Sequence, residues 1–223
     1  PEEFEIRGGT LSHLGRPVDL IYRLFELREM KDLSPVEPLR LAFAANRVVS
    51  NLAGEFDHKS MFELFTSAAF DRFFSSRERR LFRRHVLWTR LMREKFTDAP
   101  DGSKMDLPEF VFHSRDALVL KPNRSCGGEG IVIGRETDDR AWQSAVESAV
   151  AASGQWVVQL FHPLPDVSYC VIDPSGEVME ERLKTVYGFS ATPAGFGVIG
   201  RASRSSIVNV ARHGGLVPVL RLL

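Results

Sequence analysis

The chain has 223 residues with 29 basic and 29 acidic side chains, and 43% of its residues are hydrophobic, which is enough to build a sizeable core. Because the net charge is zero and no apolar run approaches the roughly 20 residues of a membrane-spanning helix, we expect neither a protein that coats nucleic acid nor a membrane protein. The two cysteines, Cys126 and Cys170, exclude a disulfide framework and lack metal-binding spacing, so we expect a reducing, cytoplasmic location. The sequence starts without a methionine and ends inside an apolar run, and we therefore expect a fragment of a longer protein.

Residues 1–100 predict a small N-terminal α/β and helical region. The segment PVDLIYRLFEL at 17–27 favours a strand, or a strand passing into a helix, and a short apolar helix and the strand-like VVSNL follow before Gly54. From Asp57 onwards, apolar residues spaced by three and four up to Phe70 predict a helix with Asp57 as its N-cap. This part of the chain is therefore expected to mix short strands with helices.

The stretch RERRLFRRHVLWTRLMREKF at 77–96 predicts a continuous helix with one apolar stripe. Its other face carries seven arginines: Arg77, Arg79, Arg80, Arg83, Arg84, Arg90 and Arg93. Arginine suits phosphate oxygens, so one interpretation of this face is an RNA-binding module. The simpler interpretation is a solvated helix face, because aromatic stacking residues are not interleaved with the charges.

Residues 101–223 predict a strand-rich region. The Pro-, Gly- and Asp-rich segment 97–109 indicates a loop or linker in front of it. Short runs of β-type residues predict strands at FVFHS, ALVLKP, GIVIG, QWVVQLF, YCVID, VIGRAS and SIVNV, with a hairpin turn at DPSGE. TDDRAWQSAVESAVAA predicts a helix with Trp142, Val146 and Val150 on one face. The chain is therefore expected to be an α+β protein with antiparallel sheets and flanking helices.

The segment LVLKPNRSCGGEGIVIG at 118–134 places a lysine and a glycine-rich turn between two strands. It is neither a Walker loop nor a dinucleotide fingerprint, because both of those need a helix after the last glycine. A glycine loop between antiparallel strands can instead offer backbone N–H groups to phosphates, and Lys121 would add its charge to the same cleft. An ordinary hairpin with a surface lysine explains these residues equally well.

The series LKPNRSCGGEGIVIG, a helix, QWVVQLF, HPLPD and a further strand resembles the ATP-grasp superfamily. In that superfamily a lysine strand and a glycine loop precede a hinge strand that contacts adenine. The resemblance implies four contacts to the phosphates of ATP: Lys121, Gly127, Gly128 and Gly130.

The same resemblance assigns the other side of the nucleotide. Gln159 falls at a hinge position that is usually acidic, and Leu160 and Phe161 would offer backbone groups to the adenine edge. Asp166 falls where the superfamily often keeps an acidic residue for the ribose hydroxyls, which a carboxylate can accept in bidentate fashion. A turn-forming aspartate after two prolines is the alternative explanation of Asp166.

The segments PVDLIYRLFEL, NLAGEFDHKSMFELF and GFGVIGRASRSSIVNVARHGG extend the likeness to nearly the whole chain. Together they resemble the circularly permuted ATP-grasp proteins, a group that includes relatives of glutathionylspermidine synthetase. The resemblance makes Arg201, Lys59 and Arg23 candidate catalytic residues and Asn209 a candidate ATP contact. Their structural alternatives are paired arginines, a helix-surface lysine and a strand-end asparagine that bonds backbone.

The resemblance implies an ATP-dependent ligase that activates a small-molecule or peptide carboxylate as an acyl phosphate and joins it to an amine or thiol. Such catalysis uses Mg²⁺ held by carboxylates, commonly a Glu and an Asn two residues apart. That pair is missing at Asn209, because Ile207 stands two residues before it. We expect the metal-binding segment upstream of Pro1. The alternative is a nucleotide-binding pseudo-enzyme or protein-interaction domain that has lost the metal site.

Overall fold

The computed structural model of the chain describes residues 3–7, 10–24, 36–50, 58–172, 175–210 and 214–219. The chain forms two compact units, Pro1–Met61 and Phe62–Leu223, and each mixes helices with strands. The predicted α+β class is therefore confirmed. The sequence predicted a division into an N-terminal α/β and helical region at 1–100 and an ATP-grasp nucleotide-binding region at 101–223, and that division stays a prediction. Within the described ranges, every helix is too short or too polar to cross a bilayer.

The first unit combines a small antiparallel sheet with one helix and a short parallel strand pair. Its elements are β1 (Phe4–Arg7), β2 (Thr10–His13), β3 (Arg16–Pro17), β4 (Ile21–Tyr22), α1 (Val36–Ala44) and β5 (Val48–Val49). The strand order is β1-β2-β3, and β4 pairs in parallel with β5. Leu11, Ala42 and Val48 form its buried core.

The second unit contains two four-stranded antiparallel sheets and a separate hairpin. Its helices are α2 (Met61–Thr66, starting at the last residue of the first unit), α3 (Ser76–His85), α4 (Leu107–His113) and α5 (Asp139–Ala151). Its strands are β6 (Thr89–Leu91), β7 (Phe96–Asp98), β8 (Lys104–Asp106), β9 (Leu118–Pro122), β10 (Val132–Ile133), β11 (Trp156–Leu160), β12 (Asp166–Ile172), β13 (Val178–Thr192), β14 (Gly195–Ser203) and β15 (Gly215–Val217). The sheets have the strand orders β10-β9-β11-β6 and β12-β13-β14-β15, and β7 pairs with β8.

The main core lies against one face of the β10-β9-β11-β6 sheet. Leu120 of β9 and Val158 of β11 are fully buried there, packed in one cluster with Val111 of α4 and Trp142 of α5. The Trp142 indole N–H donates to the Val111 carbonyl at 3.1 Å, so the two helices are joined by a buried hydrogen bond as well as by packing. Residues on the opposite face of this sheet line a cavity.

The continuous helix predicted for 77–96 is wrong in its second half. Helix α3 ends at His85, Val86 is extended, and Thr89–Leu91 pairs with β11. Strand pairing therefore overrides the helical spacing of the apolar residues. Arg90 lies on β6, is completely buried and sits 4.8 Å from the Trp88 ring, so neither a phosphate contact nor a solvated position is correct for this arginine.

Two strand predictions are also wrong. FVFHS belongs to α4, because Asp106 accepts a hydrogen bond from the Glu109 N–H at 3.0 Å and Pro108 lies in the first turn, both of which favour a helix start. SIVNV at 206–210 forms no strand, and β14 pairs instead with Gly215–Val217. The segment predicted as a loop at 97–109 contains most of the β7–β8 hairpin.

The remaining predicted elements are confirmed where they fall within the described residues. The confirmed helices are α1 and α5, and the confirmed strands are β4, β5, β9, β10, β11, β12 and β14. The proposed cap Asp57, the end of PVDLIYRLFEL and part of the DPSGE turn lie outside the described residues. Phe70 lies in a 3₁₀ turn (Ala68–Phe73) after α2, so the predicted helix stops before it.

Candidate functional site

A cavity of about 630 Å³ is lined by residues of both four-stranded sheets in the second unit. One wall comes from β9, β10, β11 and the segment 160–164, and the other from β13 and the segment 206–209. Ligand pockets typically measure about 300–1,000 Å³, so the cavity has room for a nucleotide.

The alternation of side chains along β9 and β11 directs one set of residues into the cavity. Val119, Lys121 and Gln159 line it, whereas Leu120 and Val158, one residue away in each strand, are buried in the core. In the antiparallel register Gln159 lies opposite Val119, which brings the two strands' polar groups to the same face. The predicted lysine strand and hinge strand are thus neighbours.

A chain of hydrogen bonds fixes Lys121 and Gln159. The Lys121 Nζ donates to Gln159 Oε1 at 2.7 Å, and Gln159 Nε2 donates to Thr89 Oγ1 at 2.8 Å. The Thr89 hydroxyl in turn donates to the Leu87 carbonyl at 2.9 Å, which leaves it as an acceptor for Gln159. Because Gln159 is neutral, its contact with Lys121 orients the ammonium group without cancelling its charge.

The glycine loop contributes one of its glycines to the cavity wall. Gly127, Gly128 and Gly130 have φ values of 70°, 77° and 69°, in the left-handed region that favours glycine. Gly128 lines the cavity, and a Cβ added to Gly130 would lie 2.8 Å from the Pro122 side chain. Backbone conformation and close approach therefore both explain why glycines recur here.

In the segment 159–161, called the hinge segment below, two backbone N–H groups are already hydrogen-bonded within the protein. The Leu160 N–H donates to the Trp88 carbonyl at 3.0 Å, and the Phe161 N–H donates to the Ala117 carbonyl at 2.8 Å. A ligand would therefore not find these two N–H groups free. Arg135 lies 4.2 Å from the centre of the Phe161 ring and lines the same cavity.

On the opposite wall, Lys184 and Val186 of β13 line the cavity. Asp166 faces Lys184 across the β12–β13 pair, with the Lys184 Nζ 3.5 Å from its carboxylate. Arg201 lies directly opposite Val186 in the β13–β14 pair, so it projects from the cavity-facing side of this sheet. Asp166 and Arg201 are themselves not among the residues that line the cavity, although their strand partners Lys184 and Val186 are.

The cavity has an excess of basic side chains. Within the described residues its lining contains Lys121, Arg135 and Lys184 but a single carboxylate, Glu136, which accepts a hydrogen bond from the Ser206 hydroxyl. An anionic ligand would gain from this arrangement, because charge attraction strengthens in a partly enclosed space.

The structure gathers half of the twelve predicted site residues in the lining of one cavity. They are Lys121, Gly128, Gln159, Leu160, Phe161 and Asn209. Sequence reasoning missed Arg135, Glu136 and Lys184. The basic-acidic pair directly after GIVIG was a usable signal for the first two, whereas Lys184 sits inside a long strand with no motif around it.

Arg23 and Lys59 belong to the first unit. Arg23 is buried, and its Nε donates to the Ser50 carbonyl at 2.8 Å. Lys59 is half-buried in the turn before α2. Their catalytic roles stay predictions.

The described residues contain few ligands for a metal ion. They contain no group of three or more His, Cys, Asp or Glu side chains that could hold a metal ion, and the cavity wall offers Glu136 alone. Mg²⁺ usually takes one or two carboxylates besides the phosphates and waters. The single carboxylate Glu136 is therefore the low end of what Mg²⁺ uses.

Comparison with known proteins gives no matching family model and no matching curated protein.

Proposed function

We propose that this chain binds ATP in the 630 Å³ cavity and serves an ATP-dependent ligase of the ATP-grasp type, joining a carboxylate to an amine or a thiol. The observation that carries the proposal is the meeting of Lys121, the glycine loop and the hinge segment around one cavity. These are the segments on which the resemblance to the ATP-grasp superfamily rests.

The lining suits the two ends of a nucleotide. Apolar residues such as Val119, Ile133 and Leu160 supply surface for a base, and Arg135 with Phe161 forms a stacked pair beside them. Lys121 and Lys184 bring positive charge from the two sheets, and the glycine loop adds backbone groups next to Lys121. A phosphate chain running from the hinge towards the loop would pass these charges.

In the proposed reaction, a carboxylate oxygen attacks the γ-phosphorus of ATP, ADP leaves, and an acyl phosphate forms. An amine or thiol then attacks the acyl carbon, releases inorganic phosphate and loses its proton. Lys121 would hold the phosphates in line, and Arg201 would stabilise charge on the transferred phosphoryl group. These contributions are positioning and charge neutralisation, without a covalent intermediate on the protein.

The test is calorimetric titration of ATP into the 223-residue chain, with and without Mg²⁺. We expect Lys121→Met to weaken ATP binding at least about tenfold, because a hydrogen bond to a charged group contributes about 1.5–3 kcal/mol. Lys104→Met removes an exposed lysine of the β7–β8 hairpin and should leave the affinity unchanged. Equal affinity of wild type and Lys121→Met, or absence of ATP binding by the folded chain, would contradict the proposal.

A nucleotide-binding protein without ligase activity is the second candidate. The observation that favours it is the single carboxylate, Glu136, in the described lining of the cavity. Such a protein would bind ATP with the same dependence on Lys121. It would form no ADP in the presence of carboxylate and amine mixtures, whether or not Mg²⁺ is added.

A further inference from the structure

A second cavity, of about 910 Å³, lies beside the first in the same unit. Its wall is formed by α2, the last two turns of α3, the 3₁₀ turn Ala68–Phe73 and the turn of the β7–β8 hairpin. Leu87, Leu160 and His162 line both cavities, so the hinge segment separates them. The proposed ATP site leaves this second space without a role.

Three arginines of α3 line this second cavity. Arg79 and Arg83 share one carboxylate, with distances of 3.5 and 3.3 Å to Asp71 Oδ2. Arg84 also lines the cavity and is exposed, and within the described residues its side chain makes no hydrogen bond or ion pair. The arginine-rich face of α3 therefore contributes three guanidinium groups to the wall of the second cavity.

The acidic residues of the second cavity do not cancel this charge. Asp98 is paired with the fully buried Arg90, which neutralises it from behind the wall. Asp101 accepts hydrogen bonds from the Ser103 N–H at 2.9 Å and the Ser103 hydroxyl at 2.7 Å. Three guanidinium groups thus face the carboxylates of Asp71 and Asp101.

The rest of the wall is apolar and includes Phe65, Trp88, Pro100 and Leu160. A space of this volume suits a small molecule, and arginines bind phosphate and carboxylate groups through paired N–H donors. We propose that the second cavity is a separate binding site for a small molecule that carries phosphate or carboxylate groups, held by Arg83 and Arg84. This inference does not depend on the proposed ATP site.

The experiment titrates two probes, pyrophosphate and citrate, into the 223-residue chain at low ionic strength, followed by calorimetry. We expect saturable binding of at least one probe, and its identity shows which acidic group the site prefers. The double variant Arg83→Gln/Arg84→Gln should weaken that binding at least tenfold. Arg77→Gln, which removes an exposed arginine from the first turn of the same helix, should leave it unchanged.

Lys121→Met separates the two cavities. Binding in the second cavity should survive this substitution, because Lys121 lines only the first. The proposal is overturned if neither probe binds, if Arg77→Gln weakens binding as much as the double variant, or if binding is lost in Lys121→Met and kept in the double variant. Both arginines of the double variant are exposed, and unchanged thermal unfolding would show that it is folded.

Discussion

Arg90 is completely buried, and its guanidinium is held from several directions. It donates to the Thr89 carbonyl at 2.7 Å and to the Thr97 hydroxyl at 3.1 Å, and it forms an ion pair with Asp98. Burial works against the charge of Asp98, but the charge of Arg90 and the hydrogen bond from Ser67 help to hold the pKa of this carboxyl below its usual value. The pair joins β6 to β7 and to the end of α2.

We expect Asp98→Asn to destabilise the protein by about 3 kcal/mol at neutral pH, because it leaves a buried guanidinium without its counter-charge. Asp98 has a lowered pKa in the folded state, so its contribution is complete above the unfolded pKa of about 3.9 and is lost as the pH falls below that value. Urea unfolding at several pH values should therefore show the two proteins converging in acid.

Asp116→Asn is the matched control for this prediction, because Asp116 forms an exposed pair with Arg115. Its removal should change the free energy of unfolding by less than about 1 kcal/mol. If the difference in the free energy of unfolding between wild type and Asp98→Asn does not shrink in acid, the destabilisation arises from the changed shape of the side chain rather than from its charge.

Among the helices and strands, the sequence predicted the ones in which the regularly spaced apolar residues are also the buried residues. Helix α5 was predicted because Trp142 and Val146 recur at helical spacing, and both are buried. FVFHS failed because the cap at Asp106 outweighs the β-propensity of a five-residue run, and WTRLMREKF failed because β6 pairs with a strand far along the chain. Caps can be found in a sequence, whereas such long-range pairing cannot.

Helix α3 begins with a reciprocal cap that should contribute measurably to stability. The Glu78 N–H donates to the Ser75 hydroxyl at 3.3 Å, and the Ser75 N–H donates to the Glu78 carboxylate at 2.8 Å. We expect Ser75→Ala to lower the free energy of unfolding by about 1 kcal/mol in urea titration. Ser76→Ala, at the first helical residue, should change it by less than about 0.5 kcal/mol. Equal effects would argue against the cap.

The turn after β10 depends on a glycine for space. A Cβ added to Gly134 would lie 1.9 Å from the Arg115 carbonyl oxygen, so the backbone of one of the two turns must move. We expect Gly134→Ala to destabilise the protein by about 3 kcal/mol in urea titration, at the upper end of overpacking costs. Gly215→Ala is the control, since nothing lies within 4 Å of its added Cβ. A neutral Gly134→Ala would show that this turn adapts.

For the molecule as a whole, the sequence predicted the α+β class and six of the residues that line the cavity, but not Arg135, Glu136 and Lys184, which supply further charges. Lys121 and Gln159 were found because two short strands carry them at recognisable positions, 38 residues apart. Lys184 and the second cavity depend on how β13 and α3 are placed by packing, which no local pattern encodes. A site assembled from both sheets is therefore only partly visible in one sequence.

The distribution of the seven arginines also decides how the molecule should behave with RNA. Arg90 is buried and three others line a cavity, so that outside this cavity the segment presents Arg77, Arg80 and Arg93. With zero net charge and about three contacts, the logarithm of affinity should fall with the logarithm of salt at a slope no steeper than about −2 for single strands. This slope can be measured by fluorescence anisotropy with a labelled oligouridine between about 50 and 200 mM salt. Micromolar binding with a much steeper slope, reduced by Arg77→Gln/Arg80→Gln, would instead favour an RNA-binding module.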